Sequence, residues 1–138
     1  MADLNLQAVQ DLTMTECYDD ENAFRLMLNS IGIELRERNR IVNDGFATMK
    51  EIIDLHTNDV EGFRNYLVAL NKTFGSTGTA NLRVFFTPVN IARLVGVVHY
   101  FNHSINSFHK VPDILQIEGP TASAVSYTHL TLPTICSV

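Results

Sequence analysis

Arg36, Arg38 and Arg40 form the densest run of positive charge in the chain, and guanidinium groups so spaced could grip the phosphates of a nucleic-acid backbone. On a helix, Arg36 and Arg40 share a face at i, i+4, with Glu37 set between them. Short charge runs are usually solvated helix faces, so weak, salt-sensitive nucleic-acid contact is the alternative expectation. His99 and His103 stand four apart, a spacing at which two imidazoles on one helix can ligate zinc. A zinc site needs a third or fourth ligand, and Tyr100 occupies the place of the glutamate that a metalloprotease helix requires. The expectation is a polar ridge shared with Asn106 and Lys110, which His109 joins only if the helix frays, with no metal and no cofactor.

Other candidates fail on spacing. Ser104 and Ser107 lie near histidines, but neighbours on one helix do not make a nucleophile–base–orienter chain. Gly75–Gly78 lacks the Lys-Ser/Thr that completes a phosphate loop. No pair of carboxylates sits in an apolar setting that would shift a pKa for acid–base work. Cys17 and Cys136, near opposite ends, frame neither a disulfide nor a metal motif, so a reducing intracellular compartment is the default. These residues predict no enzyme.

The elements that must position them are helical. Asp20 is an N-cap with Glu21 in the first turn, followed by Phe24, Leu26, Met27 and Leu28, and Gly32 as a stop. A short helix through Leu35, Ile41 and Val42 ends at Asn43-Asp44-Gly45, and another starts near Thr48 with Met49, Ile52, Ile53 and Leu55 turned inward. Asn58 with Glu61 reads as a capping box for a helix whose stripe is Val60, Phe63, Leu67, Leu70 and Phe74. Gly75–Thr79 reads as a connector and Leu82–Phe86 as a short extended run. Thr87-Pro88 then starts a helix over 88–108, with Ile91, Leu94, Val95, Val98, Phe101, Ile105 and Phe108 along one side. Two long amphipathic helices must bury their stripes against three short ones. The fold class is all-α, a bundle of about five helices, and its core leaves little inward room for reactive groups. A sheet through the middle, or a pocket where His99, His103 and a carboxylate converge, would overturn that account.

Charge is unevenly shared. Residues 1–23 carry Asp3, Asp11, Glu16, Asp19, Asp20 and Glu21 with no base, so residues 1–19 read as an acidic arm, disordered or holding one short helix around Leu6, Val9 and Leu12. All ten Lys and Arg lie in 24–110 against seven acids, a mildly basic body short of a dedicated nucleic-acid binder. The polar start is unlike a signal peptide, and Leu94–Val98, the longest aliphatic stretch, is too short to span a bilayer. The expected protein is soluble and intracellular, in cytoplasm or nucleus.

Ile31-Gly32-Ile33, Asp44-Gly45-Phe46 and the long Pro-started helix resemble three related things. The compact helical pattern over 24–113 resembles helix–hairpin–helix modules, which hold a nucleic-acid backbone through amides at a helix N-terminus, and SAM-like domains, which bind proteins or polymerise. The same turns resemble the N-terminal gag-like region of some protist retroelement polyproteins. The first resemblance implies Gly32 as a phosphate-approach point beside Arg36, Arg38 and Arg40. Only that one glycine is present, however, and Glu34 follows it. The others imply a non-catalytic protein-interaction or assembly module whose partner is a protein or a second copy, and this is the first expectation. Residues 125–134, Val-Ser-Tyr-Thr-His-Leu-Thr-Leu-Pro-Thr, resemble the conceptual translation of a transposase-end adapter from sequencing libraries. The expected organisation is therefore an arm (1–19), a helical domain (20–113), a linker (114–124) and a non-native adapter-derived tail (125–138), which is excluded from fold reasoning.

Overall fold

A helix begins where a short polar side chain can take up N–H groups that helical geometry leaves without partners. The computed structural model describes residues 4–75 and 86–117, and five of the six α-helices among them follow such starts. Thr13 accepts from the Glu16 amide and Glu16 returns to the Thr13 amide, a full capping box for α1 (Met14–Tyr18). Asp20 caps α2 (Glu21–Ser30) through the Ala23 amide at 2.9 Å, and Thr48 caps α4 (Met49–Leu55) through the Glu51 amide at 3.2 Å. Thr87 caps α6 (Pro88–Phe108), with Pro88 where a missing N–H costs nothing. Between them, α3 (Leu35–Asn43) starts at Glu34 without a side-chain cap.

The start of α5 (Val60–Gly75) differs from the expected Asn58–Glu61 box. Asn58 sits in the left-handed region at φ +57°, and Asp59 is the cap, its Oδ1 accepting from the Gly62 amide at 3.2 Å. The reason lies on α6. The Asn58 amide donates to Asn102 Oδ1 at 3.2 Å, and Asn58 Oδ1 accepts from Asn106 Nδ2 at 2.6 Å. Its side chain is thereby drawn away from the helix it precedes.

The stops at Gly32 and Gly45 share one design. After α2 the Ile33 amide reaches back to the Leu28 carbonyl and the Gly32 amide to Asn29; after α3 the Phe46 amide reaches Ile41 and the Gly45 amide Val42. Both are Schellman closures, which need a left-handed residue. The glycines supply it at φ +96° and +110°.

Inside, Phe24, Met27, Leu28, Ile31, Ile33, Ile41, Met49, Ile52, Phe63, Leu67, Leu94, Val98 and Phe101 are fully or almost fully buried in one cluster. Each such side chain contributes about 1.5–3 kcal/mol of transfer free energy. Leu55 departs from its expected inward place and is 65% exposed. At about 100° per residue it falls well off the arc that Met49, Ile52 and Ile53 share. Phe108 is half exposed at the end of α6, its ring edge-on to His103 at 5.5 Å. No strand occurs among the described residues.

Residues 4–19 do not hang free. A 3₁₀ turn at Leu6–Val9 and α1 both pack on α2, burying Val9, Cys17 and Tyr18. The Tyr18 ring stacks on Phe101 with centroids 6.0 Å apart, and the Thr48 hydroxyl donates to Asp19 at 3.2 Å. Burial foremost, then Asp113, Asp20 and Glu16, raises the Cys17 thiol above its ordinary pKa. The start of the expected linker is also structural. Ile114–Gln116 forms a second 3₁₀ turn against α1 and α2, with Ile114 and Ile117 buried. The connector 76–79, residues 82–85 of the extended run, the rest of the linker and the tail 125–138 lie outside the described residues.

Candidate functional site

The three arginines part company in the fold. Arg38 is only 5% exposed, and its Nη1 donates to the Ile33 carbonyl at 2.6 Å and to Asn29 Oδ1 at 3.3 Å. It is a strut across the α2–α3 turn. Arg36 lies at the surface and pairs with Glu37 at 3.2 Å, while Arg40 pairs with Asp44 at 3.0 Å. The Arg40–Asp44 pair is solvent-accessible on both sides and of a kind worth about 0–1 kcal/mol, whereas Glu37 is largely buried. The same turn is closed from outside by α6. Arg93 Nη1 donates to the Ile31 carbonyl at 3.1 Å, and a Cβ on Gly32 would meet that nitrogen at 3.0 Å. The side from which a phosphate would approach Gly32 thus already holds a guanidinium from this chain. Both segments that meet here carry an exposed apolar side chain: Leu35, at the start of α3, is 43% exposed, and Val89, beside Asn90 and one turn before Arg93, is 56% exposed.

A second surface lies between the α4–α5 turn and α6. Asn58, Asp59, Val60 and Glu61 from one side and His99, Asn102, His103, Asn106 and Ser107 from the other line an open groove of about 690 Å³. Sequence reasoning placed His99 and His103 on a plain polar ridge; the fold sets them in one groove with two carboxylates. The groove is open to solvent, outside the core, and among the described residues no group of three or more His, Cys, Asp or Glu is placed to hold a metal ion. Burial first, and the neighbouring His103 second, lower the pKa of His99 below the ordinary histidine value.

The walls are fixed by amides. Asn102, buried in α6, donates to the Val98 and His56 carbonyls at 3.3 and 3.4 Å and accepts from the Asn58 amide. His56 Nδ1 lies 3.4 Å from Asp59 Oδ2, and its ring packs with Phe46 and Phe63. Ser104 and Ser107 form no nucleophile–base pair. Ser107 Oγ is 3.4 Å from His103 Nδ1, beyond the roughly 2.6–3.2 Å of a nucleophile–base pair, and Ser104 Oγ donates to the Lys110 carbonyl at 2.8 Å.

Sequence reasoning missed His56, Asp59, Arg93 and Asn102. Only Asp59 had a local signal, since Asp is as good a cap as the Asn before it. Asp44 gained a partner it could not foretell: the Tyr66 hydroxyl donates to it at 2.7 Å, tying the Asp44-Gly45-Phe46 turn to α5. Burial, then that bond, holds the Tyr66 phenol protonated well above the ordinary tyrosine range. Among the described residues no helix is long and apolar enough to cross a membrane. No protein-family model matches the chain, and no similar curated protein or solved structure was found.

Proposed function

We propose that the chain is a non-catalytic interaction or assembly module that works inside the cell and docks a second copy or a protein partner at the α2–α3 turn. One observation carries the reading: Leu35 and Val89 stand exposed on the two segments that meet at Gly32, with the Arg36 guanidinium nearby in sequence. The buried core of an interface is more apolar than the rest of a protein surface, and arginine is enriched there. The nucleic-acid alternative asks Arg36, Arg38 and Arg40 to act together, which the burial of Arg38 disfavours. The resemblance of the two glycine turns further supports reading the module as the gag-like N-terminal part of a longer mobile-element product. A zinc knuckle, protease or reverse transcriptase downstream in the uninterrupted reading frame would bear that out.

Light scattering across a concentration series tests the docking reading. The expected result is a mass that rises with concentration and returns to the monomer value in a Leu35→Glu, Val89→Glu variant. A chain that stays monomeric throughout and retards nucleic acid in a salt-sensitive way would overturn it in favour of the alternative.

A further inference from the structure

The proposed docking face has a chemical opposite at the other end of α3. Leu35 opens that helix and Asp44 caps its end, so the two places stand about 13 Å apart along the axis. Beyond Asp44 a shallow recess of about 450 Å³ lies between the α3–α4 turn and α4, lined by Asp44, Gly45, Phe46, Glu51, Asp54 and Leu55. Its apolar surface comes from the half-buried Phe46 and from Leu55, the side chain that left the core face of α4. The Phe46 ring is held edge-on to Phe63 and Tyr66, with centroids 6.0 and 5.1 Å away, so this wall is rigid.

The rim of the recess is acidic, and its carboxylates are not equivalent. Asp44 is engaged by Arg40 and Tyr66, and Glu51 accepts from the Ala47 amide. Asp54 pairs with Lys50 at 2.8 Å across the open surface of α4, a pairing that exchanges readily. The bond to Asp54 first, and the charges of Asp19 and Glu51 after it, raise the Lys50 ammonium above its ordinary pKa, which marks the whole face as net acidic. The α2–α3 turn carries the other sign. Arg36, Arg38 and Arg93 stand there against Glu34 and Glu37, and the Arg36 side chain is half exposed.

We propose that this recess receives a second copy of the chain: Leu35 and Val89 of one molecule seat against Phe46 and Leu55 of another, and Arg36 meets the Asp54 carboxylate. The inference rests on the docking reading of the α2–α3 turn and supplies the surface to which that turn docks. An apolar centre with opposite charges at its edge gives both burial and a fixed register. One stiff helix holds the two places apart, so a single molecule cannot join them to each other. The surfaces are unlike, which makes the contact heterologous: each docked copy presents a fresh recess, and assembly continues past two.

Light scattering of the full chain across a concentration series, with Leu55→Arg beside the parent, tests the recess. The parent mass should climb past the dimer value. Leu55→Arg sets a like charge before the incoming Arg36 and should weaken association at least about tenfold, with helical circular dichroism unchanged. That variant keeps the docking face, whereas Leu35→Glu, Val89→Glu keeps the recess. An equimolar mixture of the two should therefore form a one-to-one dimer that grows no further, at concentrations where each alone is monomeric. A Leu55→Arg chain that associates like the parent overturns the recess and leaves the docking face standing. Loss of association in each variant with no rescue on mixing overturns the pairing of the two surfaces. A Leu35→Glu, Val89→Glu chain that still assembles overturns the docking face and this pairing with it. A parent that stays monomeric overturns the second copy as occupant and leaves the docking face to a different protein.

Discussion

Replacing Gly32 and Gly45 by alanine, one at a time, separates two costs that look alike in the sequence. Both positions close a Schellman motif at strongly positive φ, so each alanine suffers left-handed strain of roughly 1–2 kcal/mol. At Gly45 nothing lies within 4 Å of the new Cβ, and strain is the whole effect. At Gly32 the Cβ meets Arg93 Nη1 at 3.0 Å, the same nitrogen that donates to the Ile31 carbonyl at 3.1 Å. Displacing it loses a charge-assisted hydrogen bond worth about 1.5–3 kcal/mol, taken at the low end because the Arg93 side chain is only partly buried. Gly32→Ala should therefore cost about 1–2 kcal/mol more than Gly45→Ala, a shift in the urea midpoint at unchanged m-value. In an Arg93→Ala background the excess should vanish and the two glycine variants should cost the same. Equal costs in the parent chain, or an excess that survives the loss of Arg93, would refute the reasoning.

Deleting residues 1–19 removes the buried Val9, Cys17 and Tyr18, a loss of about 4–8 kcal/mol that rivals a domain's whole stability; chemical denaturation of the truncated chain should show no cooperative transition. Asn102→Leu leaves the Asn58 amide and the His56 carbonyl without their partner and should cost about 2–4 kcal/mol by thermal unfolding, where a silent substitution would show that the amide is ornamental. Tyr18 is pushed up to about 12 by burial, then by Asp54 and Asp19, and Tyr66 is raised too, so spectrophotometric titration should find Tyr18 and Tyr66 ionising late, a delay lost in Tyr18→Phe and Tyr66→Phe respectively. The sign follows: the unfolded chain releases these protons first, near pH 10, so the stabilisation they carry is complete below that pH and drains away as pH climbs toward 12.

The helix starts at Asp20, Thr48 and Thr87-Pro88, and the stops at Gly32 and Gly45, were legible because each rests on a handful of adjacent residues. The α5 start was misjudged by one residue because Asn58 and Asp59 both cap well, and the choice between them is made by Asn102 and Asn106 on a distant helix. The Thr13–Glu16 box was readable but carries little weight when a helix of five residues follows. An arm rich in acids hid its three buried side chains, since Val9, Cys17 and Tyr18 show no period. The candidate surfaces were the least legible of all. That Arg38 is a strut and His99 a groove wall depends on which helix packs on which, and no local pattern encodes that.

The 3₁₀ turn at Ile114–Gln116 rests on α1 and α2, so the earliest and latest parts of the described chain meet. A polypeptide emerging from the ribosome must keep the greasy side of Phe24, Met27 and Cys17 waiting for about a hundred residues before Ile114 arrives. Cys17, which Asp113 beside that turn already reaches electrostatically, should therefore alkylate faster in any variant that unseats the turn.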